Sequence, residues 1–112
     1  MSRAQVKLSP KANKYGARRV TVDGYTFHSQ REANRYRELR LLVRAKLIHD
    51  LRLQVPFSVE INGRHVCAWR ADFVYWQDGQ EIIEDSKGYR TRLYRLKKRL
   101  IEAVYGFEIK ET

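Results

Sequence analysis

Apolar residues recur with two different periods along this chain, and each period predicts one kind of element. Apolar and polar residues alternate in the manner of β-strands over residues 20–27, 51–61, 65–76, 80–86 and 107–110. Two-residue hairpin turns are indicated at Asp23-Gly24, Asn62-Gly63 and Asp78-Gly79. Most of these strands are therefore expected to pair with their neighbours in sequence as antiparallel hairpins.

Two other segments repeat apolar residues every three or four positions and are predicted to be amphipathic helices. The first covers about residues 30–46 and follows Ser29-Gln30-Arg31-Glu32, which has the form of a capping box. Its inward-facing residues are predicted to be Tyr36, Leu39 and Val43, with Leu47 near the edge. The second covers residues 91–105 and is predicted to turn Leu93, Leu96, Leu100 and Val104 inward. Together the elements predict a small single-domain α/β fold, in which a mixed sheet with an αβββαβ core follows a short hairpin.

The charge of the chain suggests a polyanionic partner. In 112 residues, 23 Lys and Arg stand against 13 Asp and Glu, which leaves a net charge of +10. Such an excess does not stabilise a fold, but it favours binding to nucleic acid first and to an anionic membrane second. A basic protein that is merely soluble is the remaining alternative. Residues 1–19 contain no acid and are predicted to form a flexible basic arm ahead of a domain over residues 20–112.

Other classes of protein are disfavoured by composition. The single cysteine, Cys67, rules out an internal disulfide and a zinc site built on several thiolates. No apolar run reaches membrane-spanning length, and the first residues lack the core of a signal peptide, so no membrane partner is expected. We therefore expect a cytoplasmic protein, encoded by a bacterium or by a phage that infects one.

Two aspartates are predicted to face each other on neighbouring strands. Asp72 lies within 71–75, where apolar neighbours on both faces indicate a central strand in which a lone acid is costly. If this strand pairs with the next through Asp78-Gly79, residues whose numbers sum to about 157 lie opposite each other, which places Asp85 opposite Asp72. Facing carboxylates repel each other, so the pair makes physical sense around a divalent cation.

The alternation of side chains in a strand predicts which of three neighbours of Asp85 lie on the same face of the sheet as Asp85. Lys87 lies two residues on and faces the same way, whereas Glu84 and Ser86 face the opposite side. An ordinary Asp85–Lys87 salt bridge is the alternative explanation, but desolvating two charges commonly costs about what their attraction returns. Lys87 is therefore predicted to position an attacking water or to balance charge on a phosphate.

Glu32 is the third candidate acid. It falls within the apolar arc of the first helix, close to Tyr36 and Leu39, and so is predicted to point inward at the helix end. Its place in the capping box is a sufficient alternative explanation. Oxygen ligands without Cys or His suit Mg²⁺, with Mn²⁺ as a substitute. The predicted ligands are Asp72, Asp85 and the backbone carbonyl of Ser86, with Glu32 needed for any second metal.

These residues resemble the PD-(D/E)XK nuclease superfamily. The likeness consists of a helix acid (Glu32), a strand acid (Asp72) and an acid-x-Lys motif (Asp85-Ser86-Lys87), in an element order from 29 to 110 that is similar to the αβββαβ core. The chain is most similar to small phage-associated nucleases with the helix glutamate of Holliday-junction resolvases. The segment Leu53-Gln54-Val55-Pro56 also resembles that group, which implies that Gln54 helps to orient the site on DNA. Ala71 stands where proline is usual, and Asp85 where glutamate is commoner.

The resemblance implies a Mg²⁺-dependent DNA endonuclease that nicks DNA or selects a DNA structure and leaves 5′-phosphate and 3′-hydroxyl ends. Predicted phosphate contacts are the basic side of the second helix and the end of the arm, namely Arg92, Arg95, Lys98, Arg99, Arg18 and Arg19. A solvated charged face is the alternative for these residues. A two-fold homodimer would suit cleavage of two strands. The alternative function is a non-catalytic DNA-binding or recombination-accessory domain, with RNA binding third because it leaves the facing acids unexplained.

Overall fold

The computed structural model describes residues 19–112, and within that range the predicted α/β class and element order are confirmed. The elements are β1 (Val20–Val22), β2 (Tyr25–Phe27), α1 (Gln30–Arg44), β3 (His49–Ile61), β4 (Arg64–Gln77), β5 (Gln80–Asp85), α2 (Arg92–Tyr105) and β6 (Ile109–Glu111). The predicted basic arm, including Arg18, lies outside the described residues except for Arg19. Among the described helices, neither is long and apolar enough to cross a membrane.

The sheet that carries the site has four strands in the order β3-β4-β5-β6. The β3–β4 and β4–β5 pairs are antiparallel, whereas β6 runs parallel to β5 after the α2 crossover. Strands β1 and β2 form a separate two-stranded sheet. The main sheet is therefore mixed, as the element order predicted.

The turn between β4 and β5 sets the register at the candidate site. Asp78 has φ 51° and Gly79 has φ 76°, so both central residues adopt the positive φ that a tight two-residue hairpin turn demands. The ladder then pairs Gln77 with Gln80 and, at its far end, Phe73 with Glu84. One further step along the same ladder places Asp72 opposite Asp85, in the register predicted from the sequence.

One face of the sheet is covered by α1 and the β1–β2 hairpin. The first helix begins at Ser29, whose side chain accepts a hydrogen bond of 3.2 Å from the Glu32 backbone N–H. Tyr36 and Leu39 are buried in this core, as predicted, and they pack with residues such as Phe73. Val43 is half-buried, whereas Leu47 is exposed. This helix therefore covers the side of β4 that carries Phe73 and Tyr75.

The other face is covered by α2, and here the predicted inward face is wrong for three of its four residues. Leu93 and Leu96 are 62% and 61% exposed and Val104 is also exposed, whereas Ile101 is fully buried and Leu100 half-buried. The helix crosses the β3–β4 ribbon, where the Lys97 ammonium donates to the Ala68 carbonyl at 3.3 Å and the Tyr105 hydroxyl donates to the Ser58 carbonyl at 2.7 Å.

The physical reason for the error is the width of the apolar arc on α2. Residues 97, 101 and 105 are spaced four apart and share one stripe, which is rotated by roughly a quarter of a turn from the leucine stripe. Periodicity defines the whole apolar arc of a helix but does not say which part of the arc meets the sheet. Leu93, Leu96 and Val104 therefore lie on the solvent side of an apolar arc that is wider than the contact.

Candidate active site

Three carboxyl groups predicted from the sequence meet at the end of the β4–β5 ladder. Asp85 is 1% exposed, Glu32 6% and Asp72 9%. Asp72 interacts directly with both of the other carboxyl groups, and the charge of Asp85 also acts on Glu32. The Asp72 and Asp85 side chains therefore lie on the same side of the sheet and next to each other.

Backbone and amide donors hold Asp72 and Glu32 in place. The Ser86 backbone N–H donates to Asp72 Oδ2 at 2.8 Å, and the Gln54 amide donates to Asp72 Oδ1 at 3.4 Å. The His28 backbone N–H donates to Glu32 Oε1 at 3.4 Å. The capping box is thus only half formed, because the Glu32 carboxylate turns towards His28 and Asp72 rather than back to its own cap residue.

Gln54 reaches Asp72 through an unusual backbone conformation. Its φ is 54°, in the left-handed region that a non-glycine residue enters at a cost of about 1 kcal/mol or more. Leu53 and Val55 are two residues apart and would face the same side of a regular strand. Here Leu53 belongs to the core under α1 and Val55 packs against the core under α2, so strand β3 changes face at Gln54. The strain therefore sits where the strand delivers an amide to the carboxyl cluster.

Burial raises the pKa of each of the three carboxyl groups. For Asp72 the pKa rises to about 7, mainly through desolvation and then through the charge of Glu32. For Asp85 it rises to about 8, again mainly through desolvation, with the adjacent Asp72 adding to the rise and Lys87 opposing it. The pKa of Glu32 is raised by burial as well. The cluster therefore retains protons near neutral pH unless another positive charge neutralises it.

Asp85 carries an unsatisfied atom. Its Oδ2 is buried and accepts no hydrogen bond from any residue between 19 and 112. The nearest cation is Lys87 Nζ at 3.8 Å, which is an ion-pair distance but too long for a hydrogen bond. The adjacent Asp72 offers no donor when both groups are ionised. A buried carboxylate oxygen in this state requires a proton or a cation.

The residues present fit a hard cation that keeps much of its own water. Within residues 19–112, no group of three or more His, Cys, Asp or Glu side chains is arranged to hold a metal ion. Mg²⁺ usually binds through one or two carboxylates and retains several waters, so three converging side chains are not required. Asp72 and Asp85 could supply those carboxylates. The Ser86 backbone N–H donates to Asp72, and the role of the Ser86 carbonyl as a further ligand stays a prediction.

Lys87 is held by a residue to which the sequence assigned no site role. Its ammonium lies 5.0 Å from the centre of the Tyr94 ring, within the range of a cation–π contact. The Tyr94 hydroxyl donates in turn to Glu111 Oε2 at 2.9 Å. Burial, followed by the bond to Glu111, raises the pKa of Tyr94. The Lys87 ammonium is thus fixed between Asp85 and the face of the Tyr94 ring. This contact links the segment that follows β5 to α2, and no local sequence pattern predicts it.

The carboxyl cluster opens into a cleft of about 590 Å³ with a basic rim. Glu32, Asp72, Gln54 and Lys87 line it, while Asp85 lies behind them in the core. The pKa of His28 at this rim is lowered by burial and then by the charges of Arg19, Arg70 and Lys87. Sequence reasoning missed His28, Arg70 and the cleft-lining Arg31, because residues from different strands and from α1 meet here only in the folded chain.

Glu84 does not belong to this cluster, as the alternation of side chains predicted. It is fully buried on the opposite side of β5, where Arg35 Nε and Nη2 each donate to it at 2.8 Å. The Tyr75 hydroxyl donates to the same carboxylate at 2.9 Å. Glu84 is therefore satisfied and ties α1 to β5 beside the site.

The basic residues predicted to contact DNA are not equivalent. Arg92, Arg95 and Arg99 are exposed along α2. Lys98 is half-buried and lies 3.5 Å from Glu111 Oε1, so part of its charge is neutralised within the protein. Arg19 is exposed and its charge acts on His28, whereas Arg18 lies outside the described residues.

The fold and site together define a small α/β protein with buried carboxyl groups at the end of a mixed sheet. A family model described as a protein of unknown function, DUF1064, matches residues 12–112. The chain therefore belongs to the DUF1064 family. No curated protein and no solved structure matches it.

Proposed function

We propose that this protein is a metal-dependent DNA endonuclease of the PD-(D/E)XK type, which nicks DNA or selects a DNA structure such as a junction. The proposal depends on one observation above all. Asp72 and Asp85 lie together in the core beside Lys87, and the Oδ2 atom of Asp85 has no donor among the described residues. Two buried carboxylates without enough positive charge suit a site completed by a divalent cation.

The cation expected here is Mg²⁺, with Mn²⁺ as a substitute. Asp72 and Asp85 would hold it, with the Ser86 carbonyl as a further ligand and Glu32 beside a second ion. When bound, such an ion neutralises the carboxylates, polarises a phosphodiester and lowers the pKa of water. The hydrolysis adds the oxygen of water to phosphorus and breaks the bond to the 3′ oxygen, which leaves a 5′-phosphate and a 3′-hydroxyl.

Each remaining side chain has a role within this reaction. Lys87 donates a hydrogen bond to the attacking water or to a phosphate oxygen, and so offsets the charge that grows there. Gln54 keeps Asp72 oriented through its amide. Arg31 and Lys87 line the cleft, and Arg19 and Arg70 lie close enough for their charges to act on His28. These positive charges draw the phosphate backbone towards a cleft whose floor is acidic.

The net charge of +10 supports a nucleic-acid substrate, and Arg92, Arg95 and Arg99 extend the positive surface along α2. Contacts of this kind supply affinity without reading sequence, and they weaken steeply with added salt. A two-fold homodimer would bring two sites to two strands. The cytoplasm of a bacterial cell, which contains DNA and Mg²⁺, is the compartment that suits this activity.

The test is cleavage of supercoiled plasmid, linear duplex and a four-way junction in Mg²⁺, Mn²⁺ or EDTA. We expect nicking that requires the metal and is lost in Asp85→Asn, while Asp78→Asn at the exposed hairpin turn retains it. Mg²⁺ binding is measured separately by calorimetry, so that a metal site without a suitable substrate is recognised. DNA binding without metal binding or cleavage on any substrate would overturn the proposal in favour of a non-catalytic DNA-binding or recombination-accessory domain.

A further inference from the structure

A second cleft, of about 500 Å³, lies beside the first and shares part of its wall. Its lining comprises Arg31, Asn34, Arg35, Glu38, Ser86 and Thr112. Arg31 and Ser86 line both clefts, so they form the ridge between them. Ser86 is also the residue whose backbone N–H holds Asp72. The second cleft therefore begins where the carboxyl cluster ends.

The two arginines of the second cleft differ in what they bind. Arg35 is engaged by Glu84 through two hydrogen bonds of 2.8 Å, and it lies 3.9 Å from Glu38. Arg31 is exposed and makes no hydrogen bond or ion pair with any residue in the described range 19–112. Its Nε lies 3.6 Å from the position that a Cβ on Gly88 would occupy, so the guanidinium lies against the loop that follows Ser86. Arg31 is thus the uncommitted cation of the second cleft within the described chain.

Asn34 supplies a second donor. Its Oδ1 accepts hydrogen bonds of 2.8 Å from the Gln30 amide and 2.9 Å from Arg37 Nη1. These two donors fix which end of the amide is the oxygen, and they leave the NH₂ group as the end without a bond to a described residue. An arginine and an amide donor on successive turns of one helix face match the groups that bind phosphate oxygens in nucleic-acid complexes.

The geometry points to a path for one nucleic-acid strand: the strand crosses the Ser86 ridge from the first cleft into the second, and Arg31 and Asn34 bind a phosphate next to the one at the carboxyl cluster. The path rests on the proposed function for the position of the first phosphate. The ligand of this path is two consecutive phosphodiester groups of one strand. A free phosphate or a single nucleotide is too short to occupy both clefts. Arg31 would thereby position the strand rather than take part in the reaction at phosphorus.

The test measures binding of a fluorescently labelled oligonucleotide by anisotropy in EDTA, at several salt concentrations, with wild type, Arg31→Ala and Asn34→Asp. Because Arg31 and Asn34 are exposed, both variants are expected to fold, which the melting temperature checks. Arg31→Ala should weaken binding about tenfold. It should also reduce the slope of log K against log salt by about 0.7, as loss of one phosphate contact on a single strand requires. Arg44→Ala, about 20 Å away on the same helix, removes an equal charge and should have a much smaller effect.

A second set of oligonucleotides carries one uncharged methylphosphonate at each position in turn. One position should weaken binding to wild type but leave binding to Arg31→Ala unchanged, because the contact is already lost in that variant. Equal effects of Arg31→Ala and Arg44→Ala, or the same methylphosphonate profile in both proteins, would overturn the path. Metal-dependent nicking with normal Arg31→Ala binding would reject the path alone. If the methylphosphonate profile depends on Arg31 but neither wild type nor any variant cleaves DNA, the phosphate contact is supported and the nuclease proposal is rejected.

Discussion

Arg35 on α1 and Glu84 on β5 are joined by two parallel hydrogen bonds of 2.8 Å, although 49 residues separate them in sequence. Arg35 lies three residues from Glu32, and Glu84 is adjacent to Asp85. The bidentate pair therefore fixes the helix and strand that carry two of the three acids, on the opposite side of β5 from Asp85.

Breaking this pair on one side should be more damaging than removing it. Glu84→Gln leaves Arg35 largely buried without its counter-charge and should lower the free energy of unfolding by about 3 kcal/mol. Arg35→Met with Glu84→Leu should cost less than the sum of the single changes, as urea denaturation would measure. Glu38→Gln, which loses only the exposed contact at 3.9 Å, should cost under about 0.5 kcal/mol. Additive single effects would show that the pair is not coupled.

The raised carboxyl pKa values predict that the metal-free protein loses stability as the pH rises. The folded protein binds more protons than the unfolded chain between the ordinary aspartate pKa and the raised values of about 7 for Asp72 and about 8 for Asp85. Stability from the protonated cluster is therefore complete below about pH 4 and is lost as the pH rises through about 7 to 8. In EDTA, the melting temperature should fall by several degrees between pH 6 and pH 8.5.

Two comparisons check the cause of this pH dependence. Asp85→Asn removes one buried carboxyl and should make the apoprotein more stable than wild type at pH 8.5, while the exposed Asp78→Asn should leave the profile unchanged. Mg²⁺ should stabilise wild type more at pH 8.5 than at pH 6, because protons compete with the cation for the same oxygens. A flat wild-type profile in EDTA would contradict the raised pKa values.

Tyr94 is expected to support Lys87 through its ring more than through its hydroxyl. Tyr94→Phe keeps the face 5.0 Å from the Lys87 ammonium, and Glu111 still has Arg90 at 3.0 Å, so the rate of nicking should change less than about threefold. Tyr94→Leu removes the ring and should lower the single-turnover rate about fivefold, in line with about 1 kcal/mol for a cation–π contact. Equal losses in both variants, with melting temperatures unchanged, would assign the role to the hydroxyl instead.

The two stripes of α2 should respond differently to substitution. Ile101→Ala creates a cavity in a fully buried position and should cost about 2–4 kcal/mol of unfolding free energy. Leu96→Gln changes a side chain that is mostly exposed and should cost under about 0.5 kcal/mol. A large loss of stability in Leu96→Gln that depends on protein concentration would show that this stripe is buried between two copies of the chain.

Much of the fold follows from neighbouring residues. Alternation and helical spacing place the elements, and the preference of Asp-Gly for a tight hairpin turn sets which residues of β4 and β5 face each other. The position of Asp72 opposite Asp85 could be predicted because a single two-residue turn connects their strands. The inward face of α2 could not, since the contact of a helix with a sheet is chosen by packing across the whole core.

By itself, the sequence determined the class of fold, the strand register at Asp72 and Asp85, the separation of Glu84 from that pair, and the basic character of the chain. Turn chemistry and side-chain alternation depend on only a few consecutive residues, and composition does not depend on the order of residues at all. Tertiary structure alone decided that Tyr94 lies under Lys87, that Arg35 neutralises Glu84, that Gln54 reaches Asp72 from a strained backbone, and that Arg31 stands between two clefts. Those contacts join elements far apart in the chain, and their energies depend on distance and burial that no local pattern encodes.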